Sequence, residues 1–411
     1  MPDPLSSDSN SPAPPAASAT FRANPALSPA VVGLGITEMG KVYGRTAPDF
    51  AADAVRRAVA DAGLRTADLD GLLINSGVRN DLGLELARDL DLRDLRLLDY
   101  LQGYGSSAGA MVSFASLAVS SGLATTVACV FADAPLREGR GTGAAYAARK
   151  PPSGFDGLLV DAGLASVNAR YALAARRHMT TYGTTSEQLG AVAVAQRGWA
   201  VRNPLAQLRT PITLADHQAS RMIADPLHLL DCCLVSNGGI AVVVTTAERA
   251  RDLAQPPVHV KGFAQAHPGY PDAGDSAFGL VSGAARSGPA ALAMAGASIE
   301  DVDVAELYDC YTFTALLSVE DYGFCAKGEG GAFAESGALG PGGGRTAFNT
   351  GGGQLSSYYM WGMTPLSEAV IQARGQGGER QAPRNDLVLV SGNGGVLDHH
   401  STLLLSPHAG S

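Results

Sequence analysis

Twice in this chain a turn built from glycine and hydroxyl-bearing residues runs into a small or apolar helix and then into a buried strand. The first instance is residues 102–118 (QGYGSSAGAMVSFASLA) followed by 125–132 (TTVACVFA). The second is residues 351–370 (GGGQLSSYYMWGMTPLSEAV) followed by 386–394 (DLVLVSGNG). The shared order with little identity predicts a duplicated α/β unit whose two turns meet between the halves. Glycine lets the backbone approach a bulky partner. Ser106 and Ser107 are expected to cap the first helix, whose free N–H groups would face the meeting point.

The rest of the chain fits a large α/β protein. It has 411 residues, 46% of them hydrophobic and 17% charged, enough for two domains or one duplicated one. Residues 1–29 are rich in Ser, Pro and Ala and read as a disordered tail. Strands are expected at 30–36, 72–76, 97–101, 125–132, 240–245 and 258–265, and again within 304–309, 386–395 and 400–406. Helices are expected at 49–62, after the TSEQ capping box at 185–188, and at 290–297 and 312–322. Residues 135–180 show less pattern and read as an excursion from the sheet. The expected division is a half at 30–255, with an excursion domain at about 135–230, and a second half at 256–411.

Several function classes drop out. The net charge is −9 and no basic run of five occurs, so no nucleic-acid surface is expected. The start lacks a basic, apolar leader, and no run of 18 apolar residues occurs, so no membrane span is expected. Five cysteines without C-x-x-C spacing fit free thiols in a reducing cytoplasm and argue against a zinc site or disulfide framework. No His, Cys or Asp spacing suggests another metal. The stretch GLGITEMG departs from G-x-G-x-x-G and is rejected as a dinucleotide fingerprint.

Many motifs in one order resemble the thiolase superfamily, in its sterol-carrier-protein thiolase branch. They are VVGLGITEMGK, QGYGSSAGA, MTTYGTTSEQL, ADPLHLLDCCLVSNGG, ELYDCYTF, NTGGGQLS and GNGGV, from about Val31 to Leu405. The resemblance implies two βαβαβαββ halves in a five-layered αβαβα thiolase fold, a coenzyme A thioester substrate and a homodimer. Thiolases carry a nucleophilic cysteine where this chain has Gly105, flanked by Tyr104 and Ser106. Where the family has histidines, this chain has Tyr359 and Tyr308. Cys310, two residues past Tyr308, is expected to be a buried filler.

This replacement pattern is similar to the steroid side-chain-cleaving aldolases of the superfamily. They split a β-hydroxyacyl-CoA by a retro-aldol reaction and work with a partner that combines a zinc ribbon and an OB-fold. That resemblance implies Tyr308 and Tyr359 as acid and base, with Tyr358 as the alternative to Tyr359; Tyr104 and Tyr311 are further tyrosines to weigh. No cofactor is expected beyond the coenzyme A that belongs to the substrate. The oxyanion donors are expected near Gly105, Asn393, Gly394 and Gly395. Asn349, Gly352, Gly353 and His267 are expected to contact substrate, and His399 or His400 to line the pocket. Asp309 is expected to be structural. The competing readings are a degenerate thiolase or acyltransferase, with Ser106 as a possible nucleophile, and a non-catalytic scaffold subunit.

Overall fold

A computed structural model describes residues 28–77, 79–145, 154–164, 166–268 and 277–409. Nearly all of the tail expected at 1–29 lies outside them. Ten strands form one mixed sheet. They are β1 (Pro29–Ile36), β2 (Gly71–Ser76), β3 (Leu97–Tyr100), β4 (Thr126–Asp133), β7 (Gly238–Thr246), β8 (Val258–Ala266), β9 (Val304–Glu306), β10 (Ala347–Phe348), β11 (Val388–Gly394) and β12 (His399–Ser406). A separate ribbon pairs β5 (Met222–Ala224) with β6 (Leu227–His228).

The sheet order is β10-β9-β11-β12-β8-β1-β7-β4-β2-β3; ranked by chain order within its own half, each half runs third, second, fourth, fifth, first from its outer edge inward. The pairs β2–β3, β2–β4, β9–β10 and β9–β11 are parallel. The pairs β4–β7, β1–β7, β11–β12 and β8–β12 are antiparallel. Each half is therefore a five-stranded sheet with the same internal order. The halves join through a two-residue antiparallel contact, Ala30 with His259 and Val31 with Val258. The duplication read from the two turns is thus present in the topology.

Helices complete the layers. Helix Ala47–Asp61 begins at a capping box, Thr46 with Asp49, and lies on the first sheet. Gly33 and Gly35 let it do so, because a β-carbon on either would strike the carbonyl oxygen of Ala58 or Ala54. The GLG stretch is therefore a packing device. Helix Ala284–Ala295 covers the second sheet. Helices Ser107–Ser121 and Met363–Ala373 touch strands of both halves and form the middle layer. All eleven residues of the latter are buried, as a helix walled on every side requires. The excursion carries helices Phe155–Asp161, Val167–Tyr182, Ser186–Ala200 and Leu214–Ala219. The described residues contain no helix long and apolar enough to cross a membrane, and no group of three or more metal-ligating side chains.

Two local expectations change. Ser106 makes no capping bond to the helix; its hydroxyl donates to Gly103 O at 2.7 Å, while Ser107 Oγ accepts from Gly103 N at 2.7 Å. The serines close the turn instead of the helix end. The helix expected at 290–297 begins at Ala284 and carries Pro289 inside it. A proline lacks the N–H of an interior position, so the pattern reads as helical only after it.

At the end of β4, Asp133 is buried and neither carboxylate oxygen has a hydrogen-bond partner among the described residues. Burial pushes its carboxyl up to about 7; Asp81 adds to this, and the Ala134 amide and Arg79 oppose it. A raised acid stabilises the fold below its unfolded pKa, and that contribution is lost as pH rises through the folded value. Asp133→Asn is expected to stabilise the protein by roughly 1–3 kcal/mol at pH 8. The gain should vanish below about pH 4, as read by denaturant melts across that range.

Candidate active site

Strand β9 ends at Glu306, and the next residue is clamped. Leu307 N donates to Asn349 Oδ1 at 2.6 Å, and Asn349 Nδ2 donates to Leu307 O at 3.1 Å. This fixes the exit of the strand and delivers Tyr308 to the junction of the halves. A β-carbon on Gly105 would fall within the Tyr308 ring and against the carbonyl oxygen of Asn393. The ring thus fills the space where a side chain at 105 would stand.

Tyr359 arrives from the second turn. The Tyr308 and Tyr359 hydroxyls are 3.3 Å apart. Tyr359 is half-buried, and its N–H donates to Ser236 Oγ at 3.1 Å. Ser236 in turn accepts from Gln207 Nε2 at 2.8 Å. Gln207 N and Leu208 N also donate to Ser357 O and Ser356 O. The excursion therefore forms a bed for the segment that carries Tyr359. Ser236 had no signal in the sequence beyond its place in the ADPLHLLDCCLVSNGG motif, nor Gln207 beyond its place in the stretch NPLAQL at 203–208.

Tyr358 does not join the pair. Its backbone is extended (φ −157°, ψ 162°), so adjacent side chains point to opposite sides. Its ring is buried, its hydroxyl meets Ser367 Oγ at 3.0 Å, and burial raises its pKa.

The two turns meet as expected. β-carbons on Gly362 and Gly392 would strike Gly105 O, and one on Gly394 would strike Gly103 O. Asn393 donates to the Tyr171 hydroxyl at 3.1 Å, so its amide faces the excursion helix; its Oδ1 has no hydrogen-bond partner among the described residues. Gly395 lies in the left-handed region (φ 65°) beside Asp398.

The expected substrate contacts fare differently. Asn349 has both ends of its amide engaged with Leu307. Gly352 packs on Ala200 and Gly353 on the Asp309 carboxylate, so both are places of close packing with no open face. The outward-facing member is His267, which is exposed, with Nδ1 3.1 Å from His399 Nδ1. Burial, then His267, lowers the His399 pKa. His400 lies inside, between the Tyr322 hydroxyl at 3.0 Å and Ser391 Oγ at 3.2 Å, and burial lowers its pKa to about 3.

Backbone strain collects here. Tyr104, Asn349, Trp361, Val396 and Leu397 all have φ between 45° and 76°. Bulky residues in that region are costly and concentrate at functional sites. Tyr104 is 45% exposed and its ring lies 5.8 Å from that of Trp361, which stacks on Phe131 at 4.9 Å. Tyr311 is buried, packs on Tyr171 and donates to Asn168 Oδ1. The thiols are unsuited to nucleophilic work: burial pushes Cys310 up to about 12 and Cys233 well above its usual value, which keeps them protonated.

Duplicated five-stranded halves, shared middle helices and a reactive-looking pair where two turns meet define a thiolase-fold protein. Residues 264–407 match the family described as thiolase C-terminal domain-like. The chain is 38% identical over 381 residues to a steroid side-chain-cleaving aldolase of Thermomonospora curvata, covering 89% of this chain and 95% of the relative. It is 37% identical to the 17-hydroxy-3-oxo-4-pregnene-20-carboxyl-CoA lyase of Mycobacterium tuberculosis, over 89% and 96%. The solved Ltp2-ChsH2(DUF35) aldolase superposes with a TM-score of 0.81 at 38% identity, covering 92% of this chain and 97% of that one. A monomeric SCP2-thiolase-like protein from Mycobacterium smegmatis shares the fold at a TM-score of 0.73 and 19% identity. The chain belongs to the thiolase superfamily, within its group of steroid side-chain-cleaving aldolases.

Because the Tyr308 ring occupies the place of a side chain at 105, Gly105→Cys is expected to yield no thiolase. Overpacking should lower stability by about 1–3 kcal/mol, read by thermal melts. Thiolysis of a 3-ketoacyl-CoA should stay at background.

Proposed function

We propose that this protein is a carbon–carbon lyase that splits a β-hydroxyacyl-CoA, with a steroid side chain as the acyl group, into a ketone and a short acyl-CoA. The observation that carries the reading is the Tyr308–Tyr359 pair, 3.3 Å between hydroxyls, with the Tyr308 ring standing where a side chain at 105 would be. The relatives named as an aldolase and a lyase support the same reaction.

The reaction balances without a covalent intermediate. One tyrosine oxygen, as phenolate, takes the proton of the β-hydroxyl. The Cα–Cβ bond breaks, the β-carbon becomes the ketone, and the bonding electrons pass to the thioester as an enolate. The other tyrosine protonates that enolate at Cα. The proton lost from oxygen equals the proton gained by carbon. A direct hydrogen bond between the two hydroxyls lets the pair return to its starting state. Backbone N–H groups at the crossing of the 103–107 and 392–395 turns are the proposed enolate donors. The thioester carbonyl is the electron sink, so the scheme calls for no cofactor beyond the coenzyme A of the substrate.

The proposed assembly is a homodimer joined by a zinc-ribbon/OB-fold partner in the cytoplasm. Support for self-association comes from exposed apolar residues near β3 and the helix Ser107–Ser121 and from a groove between that helix and β8. Leu98, Leu117 and Leu123 are exposed, and an apolar groove of about 470 Å³ is lined by Leu101, Phe114 and Leu117 of the first half and Phe263 of the second. Support for the second partner is the pairing in the solved Ltp2-ChsH2(DUF35) aldolase.

The deciding experiment supplies a 17-hydroxy steroid side-chain CoA thioester to the chain co-expressed with a zinc-ribbon/OB-fold protein. Release of a ketone and propanoyl-CoA is expected. Thiolysis of a 3-ketoacyl-CoA in its place would return the chain to the thiolases, and a tight but silent complex would make it a scaffold. Tyr308→Phe and Tyr359→Phe should each lower kcat by about 10²–10⁴-fold with circular dichroism unchanged. Tyr358→Phe should retain most of the activity.

A further inference from the structure

Asp309 follows Tyr308 directly in the chain and is fully buried. Its carboxylate accepts the Gln354 N–H at 2.9 Å through both oxygens and the Leu355 N–H at 3.3 Å through Oδ2. Those amides belong to the π-helical turn Gly353–Ser357, which leads directly to Tyr358 and Tyr359. One side chain therefore joins the residue after the first tyrosine to the turn before the second. Gly353 (φ 59°) is what admits it, since a β-carbon there would strike the carboxylate.

We propose that Asp309 is a positioning residue that sets the separation of the Tyr308 and Tyr359 hydroxyls. This rests on the lyase reading above. The alternative duty, a plain core polar group, does not account for its partners: the Gln354 and Leu355 amides that donate to it both lie on the segment that carries Tyr359. Nor does the carboxylate come cheaply. Burial pushes it up to about 7 against the pull of the Gln354 and Leu355 amides, with Glu306, Cys233 and Cys310 as its titratable neighbours. A buried carboxylate facing two amides is costly to keep and strong as an acceptor. Its loss would free the turn, and displacements of about 1 Å can cost on the order of 10²-fold in rate.

The test uses Asp309→Asn, Gly353→Ala and the double variant in the full complex. Asp309→Asn keeps the shape but offers one acceptor oxygen. Gly353→Ala pushes the carboxylate off its amides from the other side. Each is expected to lower kcat by about 10–100-fold with KM within about threefold, and the double variant should be no worse than the poorer single one. A kcat for Asp309→Asn within threefold of wild type, or a loss confined to KM, would overturn the proposal. So would additive losses in the double variant. A crystal structure of Asp309→Asn decides the matter independently of activity. The hydroxyls should move beyond hydrogen-bond distance, and an unchanged pair would refute positioning. Absence of cleavage in the wild type would sink the lyase reading alone, because the distance measurement still stands.

Discussion

Everything at the centre of this molecule depends on one steric exchange: an aromatic ring from the second half lies where the first half has no side chain. Gly105 opens the space, Tyr308 fills it, and neither residue has this arrangement without the other. The exchange also fixes the order of events in the architecture. The turn at 103–107 must lie directly beneath β11, because Gly392, Gly394 and Gly362 all press on its carbonyl oxygens. Side chains at those points would hold the halves apart by more than a hydrogen bond can span.

Around that contact the protein buries several acids and pairs only some of them. Glu368 is held by Arg380 at 2.9 and 3.2 Å. Glu306 accepts from Thr350 at 2.7 Å, and burial together with the Glu368 charge raises its pKa well above the usual range. The Thr350 hydroxyl lies between the two acids, 2.7 Å from Glu306 and 3.1 Å from Glu368, and the Arg380 guanidinium pairs with Glu368. Removing Arg380 would leave a buried charge uncompensated, a change that typically costs about 3–5 kcal/mol. Asp309 spends its charge on backbone amides instead. The thiols nearby are kept protonated by the same burial.

Local pattern made much of this readable. Thr46, Thr185 and their partners three residues on mark helix starts through hydrogen bonds made within four residues. The buried strands announce themselves by β-branched runs such as Ile240–Thr245. The repeated turn, helix and strand foretold the symmetric sheet, because each repeat must bury an apolar face that only its twin can cover. Tyr308 and Tyr359 were singled out through resemblance, and their meeting at 3.3 Å follows from the same duplication. Tyr358 was the ambiguity that the sequence left standing. The two neighbours are chemically identical, and only the extended backbone at 358 sends one inward to Ser367 and the other toward Tyr308.

The sequence by itself determined the duplicated α/β plan, the Thr185 helix cap, the lack of a cysteine at 105 and the tyrosines that stand at the two histidine places. Those properties live in residue identity and in contacts a few positions apart. Tertiary structure decided which groups touch. It turned Asn349, Gly352 and Gly353 from expected substrate contacts into a clamp and packing points, and brought Gln207 of the excursion and Ser236 just before β7 together to hold Tyr359. It also set Asp309 between the two tyrosine-bearing segments. These partners lie tens to more than a hundred residues apart, and no periodicity or spacing along a chain records a contact of that range.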